Sequence, residues 1–134
     1  MNHSLPLKVS ALVYALFGLP LLFAPNALME VYEAPQLNGP GVYNSMLLGA
    51  TYVAFAVMVW VASQLPYREA RPVMLGALLA NGLGLLVAIY RQLVSADAVA
   101  AGWVNVAVLL VFSALYARLY FQGAEARSAA RPAA

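Results

Sequence analysis

The chain has 134 residues, of which 64% are hydrophobic and 9% charged, with a formal net charge of +2. A soluble domain carries about 25% charged residues to cover its surface, so this composition excludes a water-soluble globule and makes the bilayer the solvent. The absence of cysteine excludes disulfide exchange, thiolate catalysis and iron–sulfur ligation, and a single histidine, His3, excludes paired-histidine haem ligation and a histidine metal site.

Four apolar segments predict four helical spans, at residues 7–24, 44–64, 73–93 and 102–121. Each approaches the length of about 20 residues that a helix needs to cross a hydrocarbon core about 30 Å thick. Helices are required because lipid satisfies no free backbone N–H or C=O, and the alternation of barrel strands is missing. Pro20 inside the first span predicts a kink. Pro25 sits where a signal-peptide cleavage site wants a small residue, so the first span is expected to be retained. The segment Asn26-Ala27-Leu28-Met29-Glu30-Val31-Tyr32-Glu33 predicts a short interfacial helix capped by Asn26, with its apolar residues in the membrane interface and Glu30 and Glu33 toward water, serving as a re-entry turn or, alternatively, as a lid over an outward-facing pocket.

Gly39-Pro40-Gly41 marks the break before the second span, and residues 66–72 form a tight polar turn between the second and third. Along the third span, Gly76, Ala80, Gly84 and Ala88 recur every four residues and make one smooth stripe for close helix packing, which predicts a central position for this helix. Residues 123–134, rich in alanine and arginine, are expected to be a disordered tail.

The positive charges divide unequally. Lys8, Arg68, Arg71, Arg118, Arg127 and Arg131 fall on one side, and Arg91 alone on the other with Glu30, Glu33 and Asp97. Positive residues favour the cytoplasmic face, so both termini and the middle loop are expected inside. The same scatter, each charge capping an apolar segment, argues against a nucleic-acid partner.

Polar residues within the spans mark the candidate sites. Asn44, Arg91 and Asn105 lie near the outer ends and predict one small ligand-binding pocket, with Asn81 as its floor. The alternative roles are snorkelling for Arg91, ion pairing of Arg91 with Glu30, Glu33 or Asp97, and interhelical hydrogen bonding for Asn81 and Asn105. Ser10, Tyr14 and Phe17 share a face of the first span, and Asn105, Phe112, Ser113 and Tyr116 a face of the fourth. No span holds the acidic residue that a proton-coupled cation exporter needs, serine hydrolysis has no usable histidine as its base, and Gly82-Leu83-Gly84 has neither the strand nor the lysine of a nucleotide loop. No cofactor is expected.

The layout of motifs adds a likeness. A first span ending Phe23-Ala24-Pro25 leads to a short outer helix ending near Tyr32. The second span opens Asn44-Ser45-Met46-Leu47-Leu48-Gly49-Ala50, and the third closes Tyr90-Arg91-Gln92 ahead of Asp97. This resembles the DoxX-like group of small four-helix bacterial membrane proteins, over most of the chain, as helix order and scattered residues. Related sequences often carry an arginine near the start of the second span, where this chain has Asn44. The resemblance implies residence in the bacterial inner membrane. Since some members are accessory subunits of redox complexes or quinone-linked systems, it also implies an accessory or lipophile-binding role.

The expected protein is therefore an all-α integral membrane four-helix bundle with both ends inside. It is read as a non-enzymatic subunit or lipophile-binding protein, whose partners are the bilayer, a membrane protein or a second copy, and a lipophilic ligand. The alternatives are a small enzyme or carrier acting on a lipophile in an outward pocket around Arg91, and a self-associating channel. A phosphatase reporter fused after Gln36 is expected to be active in the periplasm and one fused after Phe121 inactive; the reverse pattern would invert the orientation.

Overall fold

A computed structural model describes residues 3–96 and 98–129, with residues 122–129 as backbone only. The elements, in order, are α1 (Ser4–Phe23), α2 (Pro25–Val31), α3 (Gly39–Ala62), α4 (Tyr67–Val94) and α5 (Gly102–Ala129), and no strand occurs among the described residues. Four segments are long and apolar enough to cross a membrane: α1, α3, α4 and Gly102–Phe121 of α5.

Local chemistry sets the boundaries, and several differ from the sequence expectation. Gly39, Pro40 and Gly41 form the first turn of α3 instead of a break. The Asn38 side chain caps that turn by accepting from the Gly41 N–H at 2.9 Å, and Pro40 takes a position where its missing N–H costs nothing. Residues 67–72, expected in a turn, open α4, and the actual turn is Ser63 to Pro66. Arg68 and Arg71 therefore stand on the first turns of a helix. The α5 backbone stays helical through Ala129, into the segment expected to be disordered, while residues 130–134 lie outside the described residues.

The short helix α2 starts one residue before Asn26, which does not cap it. The Asn26 Oδ1 instead accepts from the Leu37 N–H at 2.8 Å and closes the following loop. At the other end, Ala34 N–H donates to Met29 O and Glu33 N–H to Glu30 O, the paired bonds of a Schellman cap. Glu33 takes the left-handed position with φ 53°.

The long helices form two close pairs, α1 with α3 and α4 with α5; α3 and α4 meet over a shorter stretch, and α2 rests against α1 and α3. Glycines bring the first pair together. A Cβ built on Gly49 would run into the α1 backbone at Leu22 N, and would sit 2.8 Å from Gly18 O and from Leu21 C. A Cβ on Gly18 would lie 2.9 Å from Tyr52 Cβ and 3.0 Å from Val53 N. Close backbone approach through small residues is how helices gain packing energy in lipid.

The stripe expected to pack the third span does so only in its second half, where Gly84 and Ala88 are half-buried and a Cβ on Gly84 would lie 3.4 Å from Leu109 on α5. Gly76 and Ala80 are exposed, and a Cβ on Gly76 would meet nothing within 4 Å. The buried face of α4 is Ala70, Met74, Ala77 and Asn81, an adjacent row spaced by three and four. That row carries the amide that finds a partner in the bundle, which decides the rotation of the helix. The core (Leu7, Ala11, Tyr14, Ala56, Val59, Ala62, Met74, Phe112, Tyr116 and Leu119 among its members) lies toward the α3–α4 turn, and beyond Asn81 no residue of α4 up to Val94 is buried.

Gly49→Val is expected to destabilise the bundle by about 1–3 kcal/mol or more, as overpacking does, whereas Gly76→Val is expected to leave the isolated protein's unfolding midpoint in detergent nearly unchanged. Equal losses would show that the α1–α3 contact is not what sets this packing.

Candidate functional site

An aromatic and polar layer crosses the middle of the bundle. Tyr14 reaches from α1 to three other helices. Its ring centroid is 5.0 Å from Phe55 in a T-shaped arrangement, 6.2 Å from Tyr52, both on α3, and 5.7 Å from Phe112 on α5. Its hydroxyl accepts a hydrogen bond from Asn81 Nδ2 on α4. The same amide nitrogen donates to the Ala77 carbonyl at 2.7 Å. A carbonyl can only accept, so this second bond fixes the amide orientation and makes the Tyr14 oxygen the acceptor. The Tyr14 proton is then uncommitted to Asn81.

Tyr116 on α5 is fully buried with its hydroxyl close to those of Ser10 and Tyr14 but out of good hydrogen-bonding geometry with both, and Ser113 Oγ also lacks a partner among the described residues. Ser10 spends its own proton on the Pro6 carbonyl at 2.9 Å. The layer thus holds one satisfied amide and spare hydroxyl capacity in an apolar setting. Ser10, Tyr14, Phe112, Ser113 and Tyr116 were grouped on helix faces from the sequence; that Tyr14 joins α1 to Asn81 was not legible, because span-to-span register has no signature in one chain.

The α2 end of the bundle is tied differently. Tyr32, after α2, donates to Asn105 Oδ1 on α5 at 3.3 Å. Burial pushes the Tyr32 phenol above its usual value, with Tyr52 adding to the shift, so it remains a donor throughout the physiological range. A pocket of about 460 Å³ at this end is lined by residues 34–38, Arg91, Gln92, Ala98, Val99 and Gly102, without Tyr32 or Asn105. Arg91 Nη1 donates to Ser95 Oγ, and Gln92 Nε2 donates to the Val99 carbonyl at 3.0 Å. Gln36 Nε2 donates to Glu30 Oε1 at 2.9 Å on the same rim. Asp97, an expected partner of Arg91, lies outside the described residues.

The four residues expected to share one pocket are therefore dispersed. Arg91 lines the end pocket. Asn105 is half-buried and holds Tyr32, Asn81 is buried in the central layer, and Asn44 is exposed on the early turns of α3. Helical wheel positions place side chains on faces, but the pairing of α1 with α3 separates those faces in space. The loop residues 34–38 and Gln92 were missed, since loop conformation, not residue type, brings them to Arg91.

The opposite end gathers basic and aromatic residues. His3, just before α1, donates from Nε2 to the Leu65 carbonyl at 3.0 Å and stacks edge-on against Tyr67 at 5.8 Å. The Tyr67 hydroxyl meets the carbonyls of Leu119 and Tyr120 at 3.0 and 2.9 Å, and Lys8 Nζ lies 5.9 Å from the Trp60 ring centroid.

Leu12, Leu16, Val57, Leu83, Leu86, Val87, Leu110 and Val111 are among the many large apolar side chains turned outward. Helices of this length with this exterior define a small multi-pass membrane protein. No protein-family model matches the chain, and neither does any curated protein or solved structure compared with it.

Tyr14→Phe, which strands an Asn81 N–H in the apolar layer, is expected to lower stability by about 1–3 kcal/mol, while Tyr116→Phe, which removes an unpartnered hydroxyl, is expected to be neutral or stabilising. Unfolding midpoints of both variants in the same detergent check this; a larger loss for Tyr116→Phe would mean that its hydroxyl is bonded.

Proposed function

We propose that the chain is a non-catalytic inner-membrane subunit that associates with another membrane protein or with a second copy of itself, oriented with both termini and the α3–α4 turn in the cytoplasm. The observation that carries the reading is the small-residue stripe of α4, which the bundle leaves uncovered at Gly76 and Ala80. A smooth open strip of this kind lets a neighbouring helix approach closely, and such packing is what drives association in lipid. The likeness to DoxX-like proteins, some of them accessory subunits, points the same way. The basic residues at the α3–α4 turn end support the orientation.

A second reading has its own support. The end pocket joins Arg91, Gln92 and a polar loop to an apolar rim, as binding a lipophile with a polar head requires.

Purification from the native membrane in a gentle detergent is expected to bring down a stoichiometric membrane-protein partner or a homo-oligomer, and Ala80→Leu is expected to release it from a still-folded bundle. A monomer that carries a tightly held lipophile, lost in Arg91→Ala without loss of fold, would replace the subunit reading with the pocket reading.

A further inference from the structure

At the α3–α4 turn end, Arg68, Arg71, Pro72, Leu75 and Tyr120 line a groove of about 420 Å³ between α4 and α5. Tyr120 is held in place by its backbone, since its carbonyl and that of Leu119 both receive the Tyr67 hydroxyl. The Arg71 guanidinium carbon stands 4.4 Å from the Tyr120 ring centroid, which fixes the plane of the guanidinium fork. Arg71 Nε is buried and has no hydrogen-bond partner among the described residues. Nε, sealed from water, is beyond a ligand's reach, so the half-buried Arg71 offers an anionic oxygen its terminal amino groups, and no carboxylate is among the groove's lining residues. Arg68, one turn away on the same helix, adds a second positive charge. The start of α4 contributes the positive end of the helix dipole. Glu69, the acidic residue of that turn, does not line the groove.

The groove is not purely polar. Leu75 and Pro72 continue it along α4 toward the apolar exterior, and Leu75 is partly exposed there. Two arginines at the water boundary with an apolar track leading into the hydrocarbon match an anionic phospholipid, phosphate against the guanidinium groups and acyl chain along the helix. Basic clefts between spans at the cytoplasmic boundary hold such headgroups on the same grounds.

The geometry points to this groove as a binding site for the phosphate of an anionic phospholipid. Arg71 makes the planar, two-pronged contact, Arg68 supplies charge, and Tyr120 keeps Arg71 in position. A zwitterionic lipid carries a cationic group that the arginine pair repels, so it binds more weakly. Inorganic phosphate has the charge without the apolar track, and binds more weakly too.

The test uses the full chain in a nonionic detergent, titrated with dioctanoyl phosphatidylglycerol, dioctanoyl phosphatidylcholine or inorganic phosphate, and read by calorimetry. Saturable binding of phosphatidylglycerol at least about tenfold tighter than phosphatidylcholine is expected. Arg71→Gln is expected to weaken phosphatidylglycerol about tenfold or more, and Arg71→Lys, which keeps the charge but loses the fork, to weaken it measurably. Arg118→Gln, an exposed basic residue outside the groove, is expected to change little. If Arg71→Gln fails to elute as a folded species, Arg71→Lys and Tyr120→Leu carry the same comparison. Equal binding of the two lipids, or an Arg118→Gln loss as large as that of Arg71→Gln, would overturn the site. Inorganic phosphate binding as tightly as phosphatidylglycerol would overturn the lipid as its occupant.

Discussion

Tyr14 projects from α1 into the space where all four long helices converge, and the assembly of the two helix pairs depends on it. Each pair is held along its length by close backbone approach or by interlocking side chains. Between the pairs the contacts are longer and are made by side chains. Tyr14 supplies a ring to α3 and α5 and an oxygen to Asn81 on α4. In hydrocarbon an unbonded amide is unfavourable, so Asn81 must turn to this oxygen. That requirement rotates α4 and directs which of its small-residue rows is buried and which is left outside.

The two ends of the bundle serve different chemistry. At the α2 end, a Schellman-capped helix, the Asn26–Leu37 closure and the Tyr32–Asn105 bond fix a loop over a pocket that includes Arg91 and Gln92. At the other end, His3, Tyr67 and Tyr120 lock the chain start, the α3–α4 turn and α5 together, and they leave Arg68 and Arg71 poised along a groove. An aromatic and basic belt of this kind suits the water boundary of a bilayer, where rings and long cationic side chains have one apolar and one wet end. The core lies toward this second end, and the half of α4 beyond Asn81 is only partly covered within the bundle, with Gly84 facing Leu109 of α5.

Much of this was legible in the sequence. The four spans follow from run lengths of apolar residues, and the fold class follows from the spans, because lipid permits little else. The inward turn of Asn81 follows from the cost of a bare amide. Helix starts were less legible: Pro40 and Pro72 read equally well as breaks or as residues of a helix's opening turns, and the deciding bond at Asn38 depends on a side-chain rotamer. The stripe at Gly76 and Ala80 misled for a related reason. α4 has two neighbouring rows rich in small residues, and a single helix does not declare which one its neighbours cover.

By itself, then, the sequence determined that this chain has four helices apolar enough to cross a membrane, where each ends to within a few residues though not where the second and third begin, and which side chains are too polar to face lipid. Those properties are set by each segment's own composition against a uniform apolar solvent. Only the tertiary structure decided that α1 lies on α3 through Gly18 and Gly49, that Asn44, Asn81, Arg91 and Asn105 occupy four separate surroundings, and that Arg71 rests on Tyr120 beside a groove. Those depend on the relative rotation and register of helices whose exteriors are nearly alike in hydropathy, and a few specific contacts, a glycine pair, one amide and one tyrosine, select among arrangements that composition leaves equal.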